Sequence, residues 1–337
     1  MTFVEGNTFL IVAILIILFF LELRHDLSRS SGLQVVYQAI APTMTGIQQL
    51  APKQDKRNLQ RSLITQSVLQ SQHSDSSTLT DPLNNSDRYS RIAALLDLFS
   101  GQDPESIVKK NFYLHYALRR QPVLDIGAGT GTIPLYLAQH GIQVTAIEPS
   151  AAMRSVFLTR LANRAKLASL VTLLNSTGKS FRLGTKFPLI IITEVFESLL
   201  DDQSRHQLLD NVWQHLSAKG LVISDFRIHG GYREQPITLR DEHKIGQIRY
   251  QHFDEVREVT RHYWELVHTF ETYHTHQRVD RVEASLVMRL DSRAAVHDLF
   301  QQHGFQIRQE FSDYTFSPVQ EKQIQPRLIL FARKTPA

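Results

Sequence analysis

Apolar residues form two different patterns along this chain. Near its start, residues 9–21 read FLIVAILIILFFL, an unbroken apolar run without a polar stripe. From residue 122 onward, short apolar runs alternate with segments in which apolar residues recur every three or four positions. Short runs predict buried strands, and the wider spacing predicts helices that pack on them. The pattern therefore predicts an apolar N-terminal helix followed by an α/β domain.

The run at 9–21 has the composition of a membrane-spanning helix. It extends about 20 Å as a helix, and its apolar flanks bring it closer to the ~30 Å thickness of a bilayer core. Lys and Arg follow the run but do not precede it, so the positive-inside rule places the rest of the chain in the cytoplasm. We predict an uncleaved single-pass anchor at 1–24. A helix buried in a soluble core is the alternative.

A polar segment separates this run from the α/β pattern. Residues 65–87 read TQSVLQSQHSDSSTLTDPLNNSD, which is rich in Ser, Gln, Asn and Asp and poor in aromatic residues. Such composition is typical of a flexible linker. We therefore predict a juxtamembrane segment and linker at 25–86 and one domain at 87–337.

A glycine loop stands between the first predicted strand, 122–126, and the helix that follows it. The loop is Gly127-Ala-Gly129-Thr-Gly131, and a second predicted strand, 143–147, ends in Glu148. A carboxylate at that place accepts hydrogen bonds from the ribose hydroxyls of a nucleoside. The phosphate-binding form GxGxxG requires Gly or Ala at position 132, where this chain has Thr132, so a dinucleotide cofactor is disfavoured.

The segment VLDIGAGTGTIPLYLAQHGIQVTAIEPS resembles motifs I and II of the class I S-adenosylmethionine-dependent methyltransferases. KFPLIIITEVFESL and VWQHLSAKGLVISDF resemble that family's later motifs, and the resemblance extends over about residues 87–334. It implies a doubly wound, seven-stranded, Rossmann-like sheet and S-adenosylmethionine as the cofactor.

The same resemblance implies a set of cofactor-binding residues. An acid that often binds adenine in this family is missing, and neutral residues such as Thr177 stand in its place. Tyr89 lies on a predicted capping helix, where many relatives have a second tyrosine and this chain has Leu96. The predicted cofactor-binding residues are Tyr89, Asp125, Gly127, Ala128, Gly129, Gly131, Glu148, Pro149, Thr177 and Glu194.

Two residues are candidates for catalysis. Glu194 follows the fourth predicted strand, where it would orient a substrate amine or act as a base, whereas Glu197 is as readily a solvated helix residue. His229 precedes a glycine pair after the fifth strand and is a candidate general base. A surface position is the alternative for any one of the 15 histidines.

An insertion at about 232–290 shows period-two alternation of Tyr, Val, Thr, Phe and Trp, which predicts antiparallel strands. In similar methyltransferases such an insertion covers the substrate side of the pocket or pairs subunits. The resemblance therefore implies that the insertion covers the pocket or contacts a protein partner or a second copy of the chain. His274 and His276 share one face of a predicted strand, but no third ligand is evident, so we predict no metal site.

Composition narrows the functional classes. The 37 Lys and Arg and 33 Asp and Glu are spread without a long basic block, so nucleic acid binding is not indicated. Cysteine is absent, which excludes thiol nucleophiles and thiolate zinc sites. The leading hypothesis is a membrane-anchored methyltransferase acting on N or O of a small-molecule or membrane-associated acceptor. The alternative is a catalytically inactive membrane assembly or interaction factor of the same fold.

Overall fold

A seven-stranded sheet with helices on both faces forms the centre of the fold. The computed structural model describes residues 89–335, except 101–103, 163 and 321–324, and these residues belong to one unit within 80–337. The predicted anchor and linker lie outside the described residues. Among the helices that the structure describes, none is long and apolar enough to cross a membrane.

Helices and strands alternate through the first half of the described chain, as the sequence pattern predicts. The strands are β1 Val123–Ile126, β2 Val144–Ile147, β3 Val171–Leu174, β4 Phe187–Ile192, β5 Leu216–Arg227, β6 Gln235–Ile245, β7 Ile248–Val259, β8 Tyr263–His274, β9 Gln277–Arg289, β10 Phe305–Phe311 and β11 Arg327–Lys334. The α-helices are α1 Ala93–Phe99, α2 Pro104–Ala117, α3 Thr132–Gln139, α4 Ala151–Leu161, α5 Ala165–Ala168, α6 Asp202–His215 and α7 Arg293–Gln302, and a 3-10 helix spans Phe196–Ser198.

The central sheet has the strand order β10-β11-β5-β4-β1-β2-β3. Strands β1 to β5 run parallel, and β11 lies antiparallel between β5 and β10. The carboxyl ends of the parallel strands therefore meet at one edge, which is where open α/β sheets bind ligands. The predicted seven-stranded Rossmann-like sheet is confirmed, and β10 and β11 end it with an antiparallel pair.

Strand β4 shows how the sheet divides its core between two faces. Ile190 and Ile192 pack on one side with apolar residues of α6 and α7. Leu189 and Ile191 pack on the other side with α2 and α3. Because successive side chains of a strand point to opposite faces, a strand covered on both sides needs an unbroken apolar run. The sequence FPLIII satisfies this requirement.

The predicted insertion is a second, four-stranded antiparallel sheet with the order β6-β7-β8-β9. Its prediction as antiparallel strands is confirmed. Phe270 on β8 packs with Phe99 of α1 and with Ile92, which immediately precedes that helix. Val256, Trp264 and Leu290 form a separate small cluster.

A buried ion pair joins the chain segment after β9 to α6. The guanidinium of Arg205 donates two hydrogen bonds to the carboxylate of Asp291, from Nη1 to Oδ1 at 2.9 Å and from Nη2 to Oδ2 at 2.7 Å. Their side chains are 2% and 5% exposed. Planar two-point pairing fixes orientation as well as distance. This contact fixes the point at which the insertion rejoins the α/β core.

We expect Asp291→Leu to destabilise the protein by about 3–5 kcal/mol, because it leaves the buried Arg205 guanidinium without its carboxylate. Adding Arg205→Met should restore most of this loss, since no buried charge then remains unpaired. Urea unfolding of the single and double variants measures both effects. In the exposed pair Arg257–Glu283, Arg257→Ala should cost less than about 1 kcal/mol. Equal losses in the single and double variants would contradict this account.

Candidate active site

A cavity of about 1170 Å³ lies over the carboxyl edge of the central sheet. The glycine loop and the ends of β1, β4 and β5 form one side. Strands β6, β7 and β8 of the second sheet form the other. Leu96 of α1 and Met153 of α4 contribute apolar surface. The cavity is therefore shared between the α/β core and the insertion.

The glycine loop adopts backbone conformations that favour glycine. Gly127, Gly129 and Gly131 have φ of 77°, 56° and 88°. A Cβ on Gly127 would lie 2.3 Å from Cγ2 of Val195, whereas a Cβ on Gly129 would meet no atom within 4 Å. Gly129 lines the cavity. Its missing side chain thus leaves space that a ligand can occupy against the loop backbone.

Glu148, at the end of β2, holds this loop in place. Its Oε2 accepts the N–H of Gly129 at 2.8 Å, and its Oε1 accepts the N–H of Ser150 at 2.7 Å. The side chain is 6% exposed, and burial raises the pKa of its carboxyl. The adjacent Pro149 is exposed, and its carbonyl accepts a hydrogen bond from Arg154. Neither acid nor proline belongs to the cavity wall, so their contact with a cofactor stays a prediction.

Asp125, at the end of β1, lines the cavity and is 3% exposed. Burial raises the pKa of its carboxyl to about 7, the positive charge of Lys109 opposes this shift, and Glu148 adds to it. The carboxyl therefore changes its protonation near neutral pH. The sequence predicts the position of Asp125 beside the loop. It does not predict the raised pKa, because that depends on burial by residues distant along the chain.

Glu194 follows β4 in a left-handed backbone conformation, with φ of 56°. Its carboxylate lies 3.2 Å from Nζ of Lys109, 3.3 Å from Nη2 of Arg227 and 3.9 Å from Nη2 of Arg327. Lys109 lowers the pKa of this carboxyl most, and the two arginines lower it further against the opposing effect of burial. A carboxylate held ionised by three cations is a weak base. The geometry favours a positioning role over the base role considered from sequence.

The sequence left a solvated helix position open as an alternative to a functional role for Glu197. The structure instead buries this side chain, which is 4% exposed and lies 3.3 Å from Nε of Arg227. Burial raises the pKa of its carboxyl to about 7, although Arg227 opposes the shift. The apolar neighbours of the 3-10 helix explain the burial, because Phe196 packs into the main core.

Besides Glu148 and Pro149, four predicted site residues lie outside the cavity wall, namely Tyr89, Gly131, Thr177 and His229. His229 is exposed, and its backbone N–H donates to the carbonyl of Asp291, while its neighbours Arg227 and Tyr232 line the cavity. The candidate general-base role of His229 is therefore not supported by its position. Tyr89 packs beside the cluster around Phe270, and Thr177 bonds Ser180 Oγ at 2.8 Å.

The cations around Glu194 and the hydroxyl of Tyr314 were not predicted from the sequence. Lys109 comes from α2 and Arg327 from β11, and both line the cavity. Tyr314 donates its hydroxyl proton to Oδ2 of Asp225 at 2.6 Å. These residues belong to no local motif, and only the fold brings them together. His252, Asp254 and His268 also converge, on β7 and β8.

Comparisons with known proteins agree with this architecture. A family model described as a methyltransferase domain matches residues 85–310, more than half of the chain. The CcbJ methyltransferase from Streptomyces caelestis superposes with a TM-score of 0.59 at 15% identity, over 76% of this chain and 100% of that one. A comparison with curated proteins finds no match.

Two other solved structures are similar. The sugar N-methyltransferase KedS8 from Streptoalloteichus superposes with a TM-score of 0.58 at 14% identity, over 77% of this chain and 98% of that one. An S-adenosylmethionine-dependent methyltransferase from Clostridium acetobutylicum gives 0.57 at 15% identity, over 74% and 99%. At such identities these likenesses establish the fold.

The raised pKa of Asp125 predicts a pH-dependent stability that Asp125→Asn removes. Between about pH 4, where an unfolded aspartate titrates, and about pH 7, the folded protein retains a proton that the unfolded chain loses. Wild-type stability from this group therefore falls as pH rises through that interval. We expect the free energy of unfolding of the variant, minus that of wild type, to be about 2 kcal/mol larger at pH 7.5 than at pH 5.5.

Urea unfolding at the two pH values measures this difference. Asp298→Asn, at an exposed position of α7, serves as the matched control for removing an acid. If wild type and Asp125→Asn show parallel pH profiles, the carboxyl of Asp125 does not titrate in this range in the folded protein.

Proposed function

The chain belongs to the methyltransferase-domain family, and from this premise we propose that it transfers the methyl group of S-adenosylmethionine to a nitrogen or oxygen atom of a polar acceptor. The observation that carries the proposal is the cavity bounded on one side by the glycine loop and on the other by a sheet face that carries charged as well as apolar side chains. The acceptor is a small molecule or a membrane-associated compound.

The residues of the cavity fit the cofactor. Gly127, Ala128 and Gly129 line the cavity, and no side chain fills the space over Gly129. Glu148, outside the cavity wall, holds the loop, and its carboxylate stands at the end of the second strand, the place that suits ribose hydroxyls. Leu96 and Met153 provide apolar surface for flat or thioether groups. The cofactor brings an activated methyl group on a positively charged sulfur.

Methyl transfer asks little covalent chemistry of the protein. The reacting atoms must be aligned in line and shielded from water, and an amine or hydroxyl acceptor must lose a proton. The left-handed backbone at Glu194 and the hydrogen bond from its N–H to Asp225 Oδ1, at 2.7 Å, aim this segment at the cavity. In the proposed role, Glu194 and its three cations orient the acceptor.

The far wall of the cavity supports a polar acceptor. Residues from the second sheet include Thr238, Arg240, Asp241, His252 and Asp254, so charges of both signs face the cavity. An apolar acceptor would remove water from these charged groups without replacing the hydrogen bonds that they lose. A hydroxyl- or amine-bearing acceptor would pair with them. The similar structure whose name describes a sugar N-methyltransferase is consistent with this class of acceptor.

Membrane attachment is a further part of the proposal. The apolar run at 9–21, followed by Lys and Arg, supports a single-pass anchor with the methyltransferase domain in the cytoplasm. Attachment would hold the cavity near acceptors that are made or embedded at the membrane.

The first test is calorimetric titration of S-adenosylhomocysteine into the full chain in mild detergent. We expect saturable binding in wild type. Glu148→Gln should weaken it by at least about tenfold, because one acceptor oxygen becomes an NH₂ group that faces a backbone N–H. Glu283→Gln, an exposed glutamate of the second sheet, is the matched control and should bind as wild type does.

Circular dichroism must show the same folded content in all three proteins. Absence of binding by folded wild type at millimolar ligand would overturn the proposed function. Binding without transfer of labelled methyl groups to any hydroxyl- or amine-bearing acceptor would favour the inactive interaction factor instead.

The anchor is tested by placing charges in the apolar run. Leu15→Arg with Leu18→Arg should move the protein from the membrane fraction to the soluble fraction, because each arginine costs about 2.5–3.5 kcal/mol at the centre of a spanning helix. Carbonate extraction followed by centrifugation measures the distribution. Gln70→Arg with Gln72→Arg is the control, since these positions lie in the polar linker. Soluble wild-type protein would contradict the anchor.

A further inference from the structure

Three potential ligand atoms converge on one face of the second sheet. Nε2 of His252 lies 3.0 Å from Nδ1 of His268 and 3.0 Å from Oδ1 of Asp254. Nδ1 of His268 lies 2.7 Å from the same Oδ1. The side chains of His252 and His268 are each 11% exposed and that of Asp254 is 19% exposed. Three polar atoms therefore meet in a largely desolvated place at the cavity.

Strand register produces this convergence. Asp254 on β7 pairs directly with His268 on β8, and His252 lies two residues before Asp254 on the same strand. Because side chains of a strand alternate between faces, His252 and Asp254 share one face. His268 joins them there because directly paired residues point to the same side. Rigid strands, rather than loops, thus position all three groups.

Hydrogen bonding satisfies this triangle in only one arrangement of protons. A neutral imidazole carries one N–H, which points in one direction. With a proton on only one of the two facing nitrogens, the other nitrogen directs a lone pair toward the carboxylate oxygen, 2.7 or 3.0 Å away. With protons on both, the two N–H groups donate to Oδ1 of Asp254 while the two nitrogens stand 3.0 Å apart. A cation at the centre would instead accept a lone pair from each of the three atoms.

The distances match a metal triad. Ligand atoms about 2.1 Å from one ion are about 3.0 Å apart at the 90° angles of octahedral coordination and about 3.4 Å apart at tetrahedral angles. The observed separations of 3.0, 3.0 and 2.7 Å are nearer to the octahedral value. We propose that His252 Nε2, His268 Nδ1 and Asp254 Oδ1 bind one divalent transition-metal ion in octahedral coordination. Two imidazoles and a carboxylate are a ligand set that such ions prefer.

The surroundings hold the ligands in this arrangement. The ring of His252 stacks on Phe270 at 4.4 Å with an interplanar angle of 13°, and Phe99 packs 5.3 Å from the same ring. Arg240 Nε lies 3.2 Å from the second carboxylate oxygen of Asp254, which directs Oδ1 toward the histidines. The Arg240 side chain is 62% exposed, so water screens its charge from the ion.

Three protein ligands leave open positions on the ion. His252 and Asp254 line the cavity that holds the glycine loop. Sites with two histidines, one carboxylate and open positions bind water or a substrate atom there. If the proposed function holds, the open positions take an oxygen or nitrogen atom of the acceptor. This proposal departs from the expectation of no metal drawn from the sequence.

The test uses the full chain in detergent, freed of any affinity tag and stripped of metal. Co²⁺ is titrated while its visible absorption is followed, and Zn²⁺ is then added as competitor. We expect one equivalent of bound ion in wild type. His252→Phe keeps an aromatic ring stacked on Phe270 but removes one metal ligand. Asp254→Asn replaces the negatively charged ligand by a neutral amide. Each should weaken binding by more than about 100-fold, beyond the usual cost of losing an outer-shell partner.

His274→Phe is the matched control, because His274 is an exposed histidine on the same strand as His268 and should leave metal binding unchanged. Saturating Zn²⁺ should also raise the thermal midpoint of wild type and the control but not of the two ligand variants. This second readout needs no turnover.

Absence of stoichiometric binding in wild type would overturn the metal site, as would equal affinity in wild type, His252→Phe and Asp254→Asn. Titration of S-adenosylhomocysteine into the same preparations separates the two proposals. Cofactor binding without metal binding defeats only the metal site. Metal binding without cofactor binding defeats only the proposed methyl transfer.

Discussion

The carboxylate of Asp225 fixes the edge of the sheet on which the site is built. It is 2% exposed, and its two oxygens accept the N–H of Glu194 at 2.7 Å and the hydroxyl of Tyr314 at 2.6 Å. The first bond holds Glu194 in a left-handed conformation that costs about 1–3 kcal/mol without support. The second brings Tyr314 under Arg327, whose guanidinium lies 4.8 Å from its ring. One buried acid thus aligns strands β4, β5 and β11 around the cavity.

The pKa values of two carboxyls at this edge shift in opposite directions, although Lys109 lowers both. Lys109 acts on both Asp125 and Glu194. At Asp125, burial dominates and raises the pKa to about 7. At Glu194, Arg227 and Arg327 add to Lys109, so the pKa falls below its ordinary range. The count of nearby cations decides the difference. The edge therefore offers one fixed negative charge and one carboxyl whose charge changes near neutral pH.

The parts of this architecture that sequence predicts are those encoded locally. Apolar runs predicted the strands, and the glycine loop with Glu148 predicted the cofactor half, because a tight turn and a strand end depend on adjacent residues. The opposite wall of the cavity depends on register and on distant partners. His268 pairs with Asp254 only after β7 and β8 align, and that alignment depends on the turn between the strands as well as on their pattern. The catalytic role of His229 stays a prediction, because a glycine pair indicates flexibility and not the direction of a side chain.

The two sides of the cavity are constrained to different degrees. The cofactor half rests on the parallel sheet, whose backbone geometry leaves little freedom at Gly127, where a Cβ would clash with Val195. The opposite wall of the cavity belongs to antiparallel strands, where a side chain can change without disturbing the ladder. The Arg205–Asp291 pair holds the two halves in register by fixing where the insertion returns to the core. The fold therefore constrains the glycine-loop side of the cavity more strongly than the wall that the second sheet provides.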